Sequence, residues 1–450
     1  MSKLSDWLTQ IESRHPTEID LGLERVDLVA HQAKIKKFSQ PVVTVAGTNG
    51  KGSTIAAMET LLIQMGYSVG VYTSPHLVRY NERVRINGKP VADSILVESF
   101  DEIEEHRLAA GEPSLTYFET GTLSALWIFR QEKPDVVLLE VGLGGRLDAV
   151  NIVDADIAVV TGIAKDHEDW LGSDLNQIGQ EKAGIFRQGQ TVVIGQSESD
   201  GLPESVIDRA KALGCDIYLA GKQFGHLHDR MVSEEQQPLS FFWEQENGFS
   251  QSLHISGKGC GYISPQDRLS MLPLPSWASA LQVLQLLLEK WVDRKEPLTN
   301  DIAKEIVLAA QLPGRFSTHE SFPQTIFDVA HNPQAATLLA ERIQAIGSDR
   351  CVLVIGMLRD KDIAGVLQQL KSVKCPWVVA DLSHLPRGLS AQELAEQIEQ
   401  NTYQIPSIAA DPVAAWRKAR EIADADTQII VFGSFFTVGE ILATSGFHLG

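Results

Sequence analysis

The chain has 450 residues, 44% of them hydrophobic and 22% charged, with a formal net charge of −19. That length exceeds what one compact core usually holds, so two or three domains are expected. The negative charge argues against nucleic acid and anionic membrane surfaces as partners, which draw on a basic patch, but not against a small anion held in a cleft by a few cations and backbone N–H groups.

The first residues, Met1 to Pro16, mix Lys3, Asp6, Glu12 and Arg14 with Leu4, Trp7, Leu8 and Ile11 at helical spacing. They lack the unbroken apolar stretch of a signal peptide. No run of about 18 apolar residues occurs, so no membrane span is expected. Cys215, Cys260, Cys351 and Cys375 are widely separated and form no C-x-x-C pair, which points to a reducing cytosol.

Val42 to Val45 reads as a buried strand and Ser53 to Met65 as a helix ended by Gly66. Ser68 to Tyr72, Asp135 to Val141 and Asp156 to Thr161 read as further strands. Each leads into a polar or glycine-rich stretch, where α/β proteins place their sites, and the repeated strand–loop–helix pattern predicts a largely parallel sheet. From about Gln223 to Leu272 short alternating segments with Phe241, Phe242 and Trp243 suggest a small antiparallel excursion. Helices are expected over Ser276 to Trp291 and Asn300 to Ala310, before a junction at Leu312-Pro313-Gly314-Arg315. Strands Thr325 to Val329, Cys351 to Ile355, Trp377 to Ala380 and Gln428 to Phe432 then alternate with helices near Pro333 to Ile346, Ile363 to Val373 and Ala391 to Gln400. The expectation is an α/β protein with a larger domain over 1–311, a smaller Rossmann-like domain over 312–450, and a site in the cleft between them.

Between the first strand and helix stands Gly47-Thr48-Asn49-Gly50-Lys51-Gly52-Ser53-Thr54. Its glycines let successive backbone N–H groups wrap phosphate oxygens, Lys51 supplies a point charge, and Ser53 or Thr54 offers a hydroxyl. Only Thr48 and Asn49 separate the first glycine from the Gly-Lys pair, fewer than in the usual Walker form, so a structural turn containing lysine is the alternative. Glu140 closes a strand of Val and Leu just before Gly142-Leu143-Gly144-Gly145-Arg146-Leu147-Asp148. A carboxylate at that edge, near a triphosphate, is a natural Mg²⁺ ligand; a solvent-facing strand end is the alternative. Thr73-Ser74-Pro75-His76, Lys165-Asp166-His167 and Glu181-Lys182-Ala183-Gly184 also follow predicted strands or lie beside them. Arg79, Arg83 and Arg85 read as a loop facing either substrate carboxylates or solvent.

These segments together resemble the folylpolyglutamate synthase/dihydrofolate synthase family, relatives of the Mur-type amide ligases. The likeness runs from Ile19-Asp20-Leu21-Gly22-Leu23 to Gly433-Ser434-Phe435. The resemblance implies that Gly47 to Ser53, Arg315 and Asp328 bind ATP, that Ser74 and Glu140 hold one Mg²⁺, and that His167 holds a second. Lys182 matches a lysine that is carbamylated in the family; an ordinary ion-pair lysine is the alternative. Asp20 and Leu21, Tyr117, Phe118 and Glu119, and Leu147, Asp148 and Ala149 match pteroate-pocket segments of bifunctional members, with Phe118 either stacking on a pterin or filling the core. Arg83 is the cation placed with this substrate group. Ser276 stands where the family has a nucleotide-contacting asparagine, and Phe436 where relatives can carry histidine.

The implied reaction is ATP-driven joining of L-glutamate to dihydropteroate, and to folate or tetrahydrofolate γ-carboxylates, through an acyl phosphate. Lys51 and Lys182 serve the chemistry, and His331 either assists glutamate or acts as a helix cap or hinge. A monomer is expected. A muropeptide ligase would carry a substantial domain before its phosphate loop, whereas 46 residues precede Gly47. A GTPase-like switch would show Asn-Lys-x-Asp, and a nonenzymatic ATP-binding module leaves the metal and pteroate segments without a purpose.

Overall fold

A computed structural model describes residues 3–17, 19–228, 239–244, 250–255, 272–293 and 300–446. The first sheet has eight strands: β1 (Val42–Ala46), β2 (Val69–Tyr72), β3 (Val84–Ile86), β4 (Lys89–Pro90), β5 (Val136–Glu140), β6 (Ile157–Val160), β7 (Thr191–Ile194) and β8 (Asp216–Leu219). Their order is β4-β3-β2-β5-β1-β6-β7-β8. From β2 to β8 every pairing is parallel, and only the β2-β3-β4 edge is antiparallel.

Every residue of β1, β5 and β6 is buried, because helices cover both faces of the sheet. Val43 and Val45 join a core formed with the helices Lys51–Gln64 and Leu274–Lys290, while Val42 joins the opposite core with the helices Asp93–Ala109 and Tyr117–Glu132. The last two helices were not expected from sequence. The second begins with a capping box in which Thr116 Oγ1 accepts the Glu119 N–H and the Glu119 carboxylate accepts the Thr116 N–H.

The expected antiparallel excursion is present as β9 (Gly225–His228), β10 (Leu239–Glu244) and β11 (Ser250–Ile255), in the order β11-β10-β9. The rest of that stretch, 229–238, 245–249 and 256–271, lies outside the described residues, and with it Cys260.

The second sheet comprises β12 (Ser317–His319), β13 (Phe322–Phe327), β14 (Cys351–Ile355), β15 (Trp377–Ala380), β16 (Ser407–Ala409) and β17 (Gln428–Phe432), in the order β12-β13-β17-β14-β15-β16. All its pairings are parallel except the β12-β13 hairpin. The chain is therefore α/β with two sheet-centred lobes. Among the described residues no helix is long and apolar enough to cross a membrane, and Cys215, Cys351 and Cys375 are free thiols.

Candidate active site

The carboxyl ends of β1, β2, β5 and β6 open into a cleft of about 1150 Å³ that also takes its wall from the second lobe. A cleft of that size holds more than one small ligand. Every residue assigned from sequence to nucleotide, metal or substrate lines it: Gly47 to Ser53, Ser74, Glu140, His167, Lys182, Ser276, Arg315, Asp328 and His331, and also Asp20, Leu21, Arg83, Tyr117, Phe118, Glu119, Leu147, Asp148 and Ala149.

The phosphate loop leaves β1 and turns directly into the helix Lys51–Gln64. Gly47 has φ +153 and packs so closely on Thr161 that a β-carbon would fall 1.9 Å from its Oγ1, so no larger residue fits. Lys51 Nζ donates to Gly47 O at 3.1 Å and Thr48 O at 3.4 Å, folding its ammonium back over the loop. Desolvation lowers its pKa, opposed by the charges of Glu140 and Asp166. Ser276 lies on the first turn of the helix Leu274–Lys290, facing Gly50 of the loop. Ser53 and Thr54 are buried, and Thr54 Oγ1 has no hydrogen-bond partner among the described residues.

Glu140 is 5% exposed, and its Oε2 accepts the Ser74 N–H at 3.1 Å. Burial raises its pKa, and Lys51 and the Ser74 N–H pull it back. The β2 and β5 strand ends thus bring the Ser74 main chain against the Glu140 carboxylate beside the loop, and both residues line the cleft. Hydroxyl and carboxylate oxygens are the donors a hard cation takes. Among the described residues no three or more His, Cys, Asp or Glu side chains form a ready-made cage, so an ion here would draw its remaining ligands from phosphate oxygens and water, as Mg²⁺ commonly does.

Lys182 ends the helix Leu175–Lys182 and is 4% exposed. Desolvation, with the nearby Lys51 charge, brings its pKa down to about 7. Among the described residues Lys182 forms no salt bridge. Burial likewise brings the His167 pKa down to about 4, against the pull of Asp166.

At the other end of the cleft Asp20 Oδ2 accepts Arg25 Nη1 at 2.7 Å, and Arg25 Nη2 reaches Glu119 Oε1 at 3.1 Å. Phe118 stands 6.0 Å from the Tyr72 ring and against Gly142, where a β-carbon would meet its Cζ at 2.7 Å. Asp148 accepts the Leu143 and Val150 N–H groups, and desolvation still raises its pKa to about 6. Arg83 lies 5.4 Å over both Tyr80 and Tyr117 and donates to His76 Nδ1 at 2.9 Å.

Two sequence readings need correction. Arg79 lies in the loop as expected, at the cap of a 3₁₀ turn, Tyr80–Arg83, but Arg83 belongs to that turn and Arg85 to β3. Arg85 faces neither substrate nor solvent: it is buried against Glu59, Nη2 to Oε2 at 2.7 Å. The cap of the helix Pro333–Ile346 is Asn332, not His331. His331 instead places Nδ1 2.7 Å from Val329 O and Nε2 3.5 Å from Asp166 Oδ2.

The second lobe contributes Arg315, stacked 5.2 Å from the Phe435 ring, and Asp328, which faces both Arg315 and Arg342. Burial lowers the Arg315 pKa and raises that of Asp328. Phe436 is 44% exposed at the rim. His15, Arg342 and Lys361 line the cleft and were missed. Lys361 follows strand β14 in Arg359-Asp360-Lys361-Asp362, the kind of post-strand polar run that directed attention elsewhere.

Residues 45–260 match the Mur ligase middle domain and residues 314–435 the glutamate ligase domain of Mur ligases. The chain is 44% identical to the dihydrofolate synthase/folylpolyglutamate synthase of Escherichia coli K12 over 98% of its own length and 95% of the relative's. It is 37% identical to the enzyme of that name from Haemophilus influenzae, covering 98% of this chain and 97% of that one. Among solved structures, E. coli FolC in complex with DHPP and ADP superposes with a TM-score of 0.84 at 42% identity, covering 99% and 98% of the two chains. A bifunctional folylpolyglutamate synthase/dihydrofolate synthase with Mn, AMPPNP and L-glutamate bound gives 0.82 at 40%, covering 99% of each. With both domain models matched and full-length relatives at this identity, the chain belongs to the dihydrofolate synthase/folylpolyglutamate synthase family.

Proposed function

We propose that this protein is an ATP- and Mg²⁺-dependent ligase that adds L-glutamate to dihydropteroate, giving dihydrofolate, and to folate or tetrahydrofolate γ-carboxylates. The observation that carries this reading is the convergence of Lys51, Glu140 and Arg315, from three distant segments and both lobes, on one stretch of the cleft. The relatives' bound ADP, AMPPNP, Mn and L-glutamate support it.

ATP passes its γ-phosphoryl group to the acceptor carboxylate, making an acyl phosphate and ADP. The glutamate amine attacks that carbonyl, and the tetrahedral adduct collapses to amide and phosphate. Lys51 and the loop N–H groups face the phosphates from one side and Arg315 from the other, so the charge that spreads in transfer meets fixed cations. Mg²⁺, when bound by Ser74 and Glu140, and by His167 with carbamylated Lys182 at a second position, neutralises phosphate charge. Burial lowers the Lys182 pKa and favours the neutral amine, the state that adds CO₂ and releases a proton to become a carbamate. Asp328 anchors the ribose, and Ser276 faces the phosphate loop with a shorter side chain than the family asparagine. With Nδ1 on Val329 O and Nε2 facing Asp166 Oδ2, both ring nitrogens of His331 have acceptors, an arrangement that suits the imidazolium formed when the ring holds the amine's proton.

The pterin ring is placed against Phe118, between the Asp20-Leu21 segment, Tyr117, Glu119 and the Leu147-Asp148-Ala149 turn, with Arg83 toward its carboxylate end. The domain boundary is placed between 311 and 312, after the helix Asn300–Ala309 that still packs in the first lobe's core. One chain supplies both walls of the cleft, which supports a working monomer, and free thiols support a cytoplasmic setting. The test is phosphate release from ATP and Mg²⁺ with L-glutamate, with dihydropteroate and tetrahydrofolate as alternative acceptors. Glutamate-dependent release with both, lost in Lys51→Ala, is the expected result; release with neither acceptor overturns the proposal.

A further inference from the structure

One buried ion pair crosses the cleft, and its cation, Lys361, has no task in the mechanism above. Lys361, from the second lobe, brings Nζ to 2.8 Å from Oδ1 of Asp166 in the first, and the two side chains are 8% and 10% exposed. The same Oδ1 accepts the backbone N–H of His167 at 2.9 Å. His167 has φ 53 and ψ 42, the left-handed region that a non-glycine residue enters only with local support. Its carbonyl accepts the Trp170 and Leu171 N–H groups, opening the short helix Glu168–Leu171.

The chemistry of the link is one-directional. A nearly dry carboxylate keeps its charge only beside a cation or strong donors. Asp166 has Lys361 in contact and His331 at 3.5 Å from the second lobe, while the first lobe offers the His167 ring at 3.9 Å and the Lys51 charge, neither in hydrogen-bond contact. With that lobe undocked, the Asp166 carboxylate loses its one contacting cation and keeps only the His167 N–H and more distant first-lobe charges, so the hydrogen bond that holds His167 in its left-handed conformation is weakened. Asn49 also spans the lobes, donating to Asn332 Oδ1 at 3.1 Å and Gln334 Oε1 at 2.6 Å, but it ties down the phosphate loop and does not touch His167.

We propose that Lys361 is a positioning residue: by holding Asp166 when the lobes are docked it fixes the pose of His167, so that the second metal position is complete only in the closed molecule. The inference rests on the ligase reading, in which His167 holds that metal. It ties closure of the cleft to readiness for phosphoryl transfer, since an open molecule holds the His167 pose less firmly.

The test titrates Mn²⁺ into the full chain with AMPPNP and counts free Mn²⁺ by electron paramagnetic resonance. Wild type is expected to hold two ions. Lys361→Met is expected to keep the tighter ion and weaken the other about tenfold or more, the usual effect of losing an outer-sphere support. AMPPNP affinity without metal is expected to stay within about twofold, and kcat to fall while KM for ATP holds. Lys361→Arg, which can still pair with Asp166, recovers most of the weaker site. Asp166→Asn produces the same selective loss, and combining it with Lys361→Met adds little, because both cut one chain of contacts. Should Lys361→Met fail to fold, Asp166→Asn carries the test alone. Two ions held with wild-type affinity in the variant overturn the proposal while sparing the ligase reading, as does an equal loss of metal-free AMPPNP affinity, which makes Lys361 a nucleotide contact. A single ion in wild type overturns the assignment of His167 and the proposal with it.

Discussion

Replacing Arg85 by methionine separates a structural arginine from a substrate-binding one. In the structure its guanidinium makes three contacts of 2.7–3.2 Å to the Glu59 carboxylate and donates to Thr73 Oγ1 at 3.0 Å and Glu82 O at 3.1 Å. Both side chains of the pair are only 9% exposed. Arg85→Met therefore strands a buried carboxylate, and breaking such a pair from one side costs roughly 3–5 kcal/mol. At about 2 °C per kcal/mol for a domain of this size, the melting temperature should fall by at least about 6 °C. The double variant Glu59→Gln/Arg85→Met leaves no stranded charge and should recover part of the loss, on the order of 1–3 kcal/mol. Thermal melts of the three proteins, run beside steady-state kinetics with each acceptor, give the answer. KM for glutamate and folate should stay near wild type in whatever fraction is folded. A melting temperature unchanged within a degree, with KM raised tenfold, would refute the reasoning and return Arg85 to the substrate site.

Four further outcomes follow from the site. Because burial brings the Lys182 pKa down to about 7, the neutral amine grows as pH rises through that value, and carbamate formation releases a further proton; at constant dissolved ¹³CO₂ the carbamate resonance should therefore rise more than about tenfold between pH 6 and pH 8 until the site saturates, and be absent in Lys182→Met. Phe118→Ala should raise KM for dihydropteroate about tenfold, a loss of some 1–1.5 kcal/mol of ring contact, with KM for ATP unchanged; equal effects on both would mark Phe118 as core alone. In Gly145→Ala the new methyl meets Glu181 O at 2.7 Å and Lys182 O at 2.9 Å, backbone that cannot step aside without moving Lys182, so kcat should fall with about 1–3 kcal/mol of stability. Lys51→Ala should lower phosphate release by about a hundredfold or more with unchanged circular dichroism.

The phosphate loop was legible because its parts are local: strand, glycines, lysine and helix are contiguous, whereas the hydrogen bonds of the Thr48 and Asn49 N–H groups to Gly162 O depend on a distant segment. Much of the second lobe was legible for the same reason, and Cys351–Ile355, Trp377–Ala380, Gln428–Phe432 and Pro333–Ile346 have the bounds that their apolar runs predict. The helix Asp93–Ala109 went unread because acidic residues are spread around it and leave a weak apolar stripe. For Tyr117–Glu132 the signal was present, since Thr116-Tyr117-Phe118-Glu119 is a capping-box sequence, but it was read only as a pocket segment.

Sequence alone thus determined the parallel α/β class and most of the strands and helices around the phosphate loop and in the second lobe, because backbone preference and apolar periodicity act over a few residues. Only the tertiary structure decided which charges meet. It pairs Arg85 with Glu59, Arg25 with both Asp20 and Glu119, and Lys361 with Asp166 across 195 positions. Those partners are set by strand order and lobe docking, and a carboxylate's local sequence carries no mark of the cation that long-range packing will bring to it.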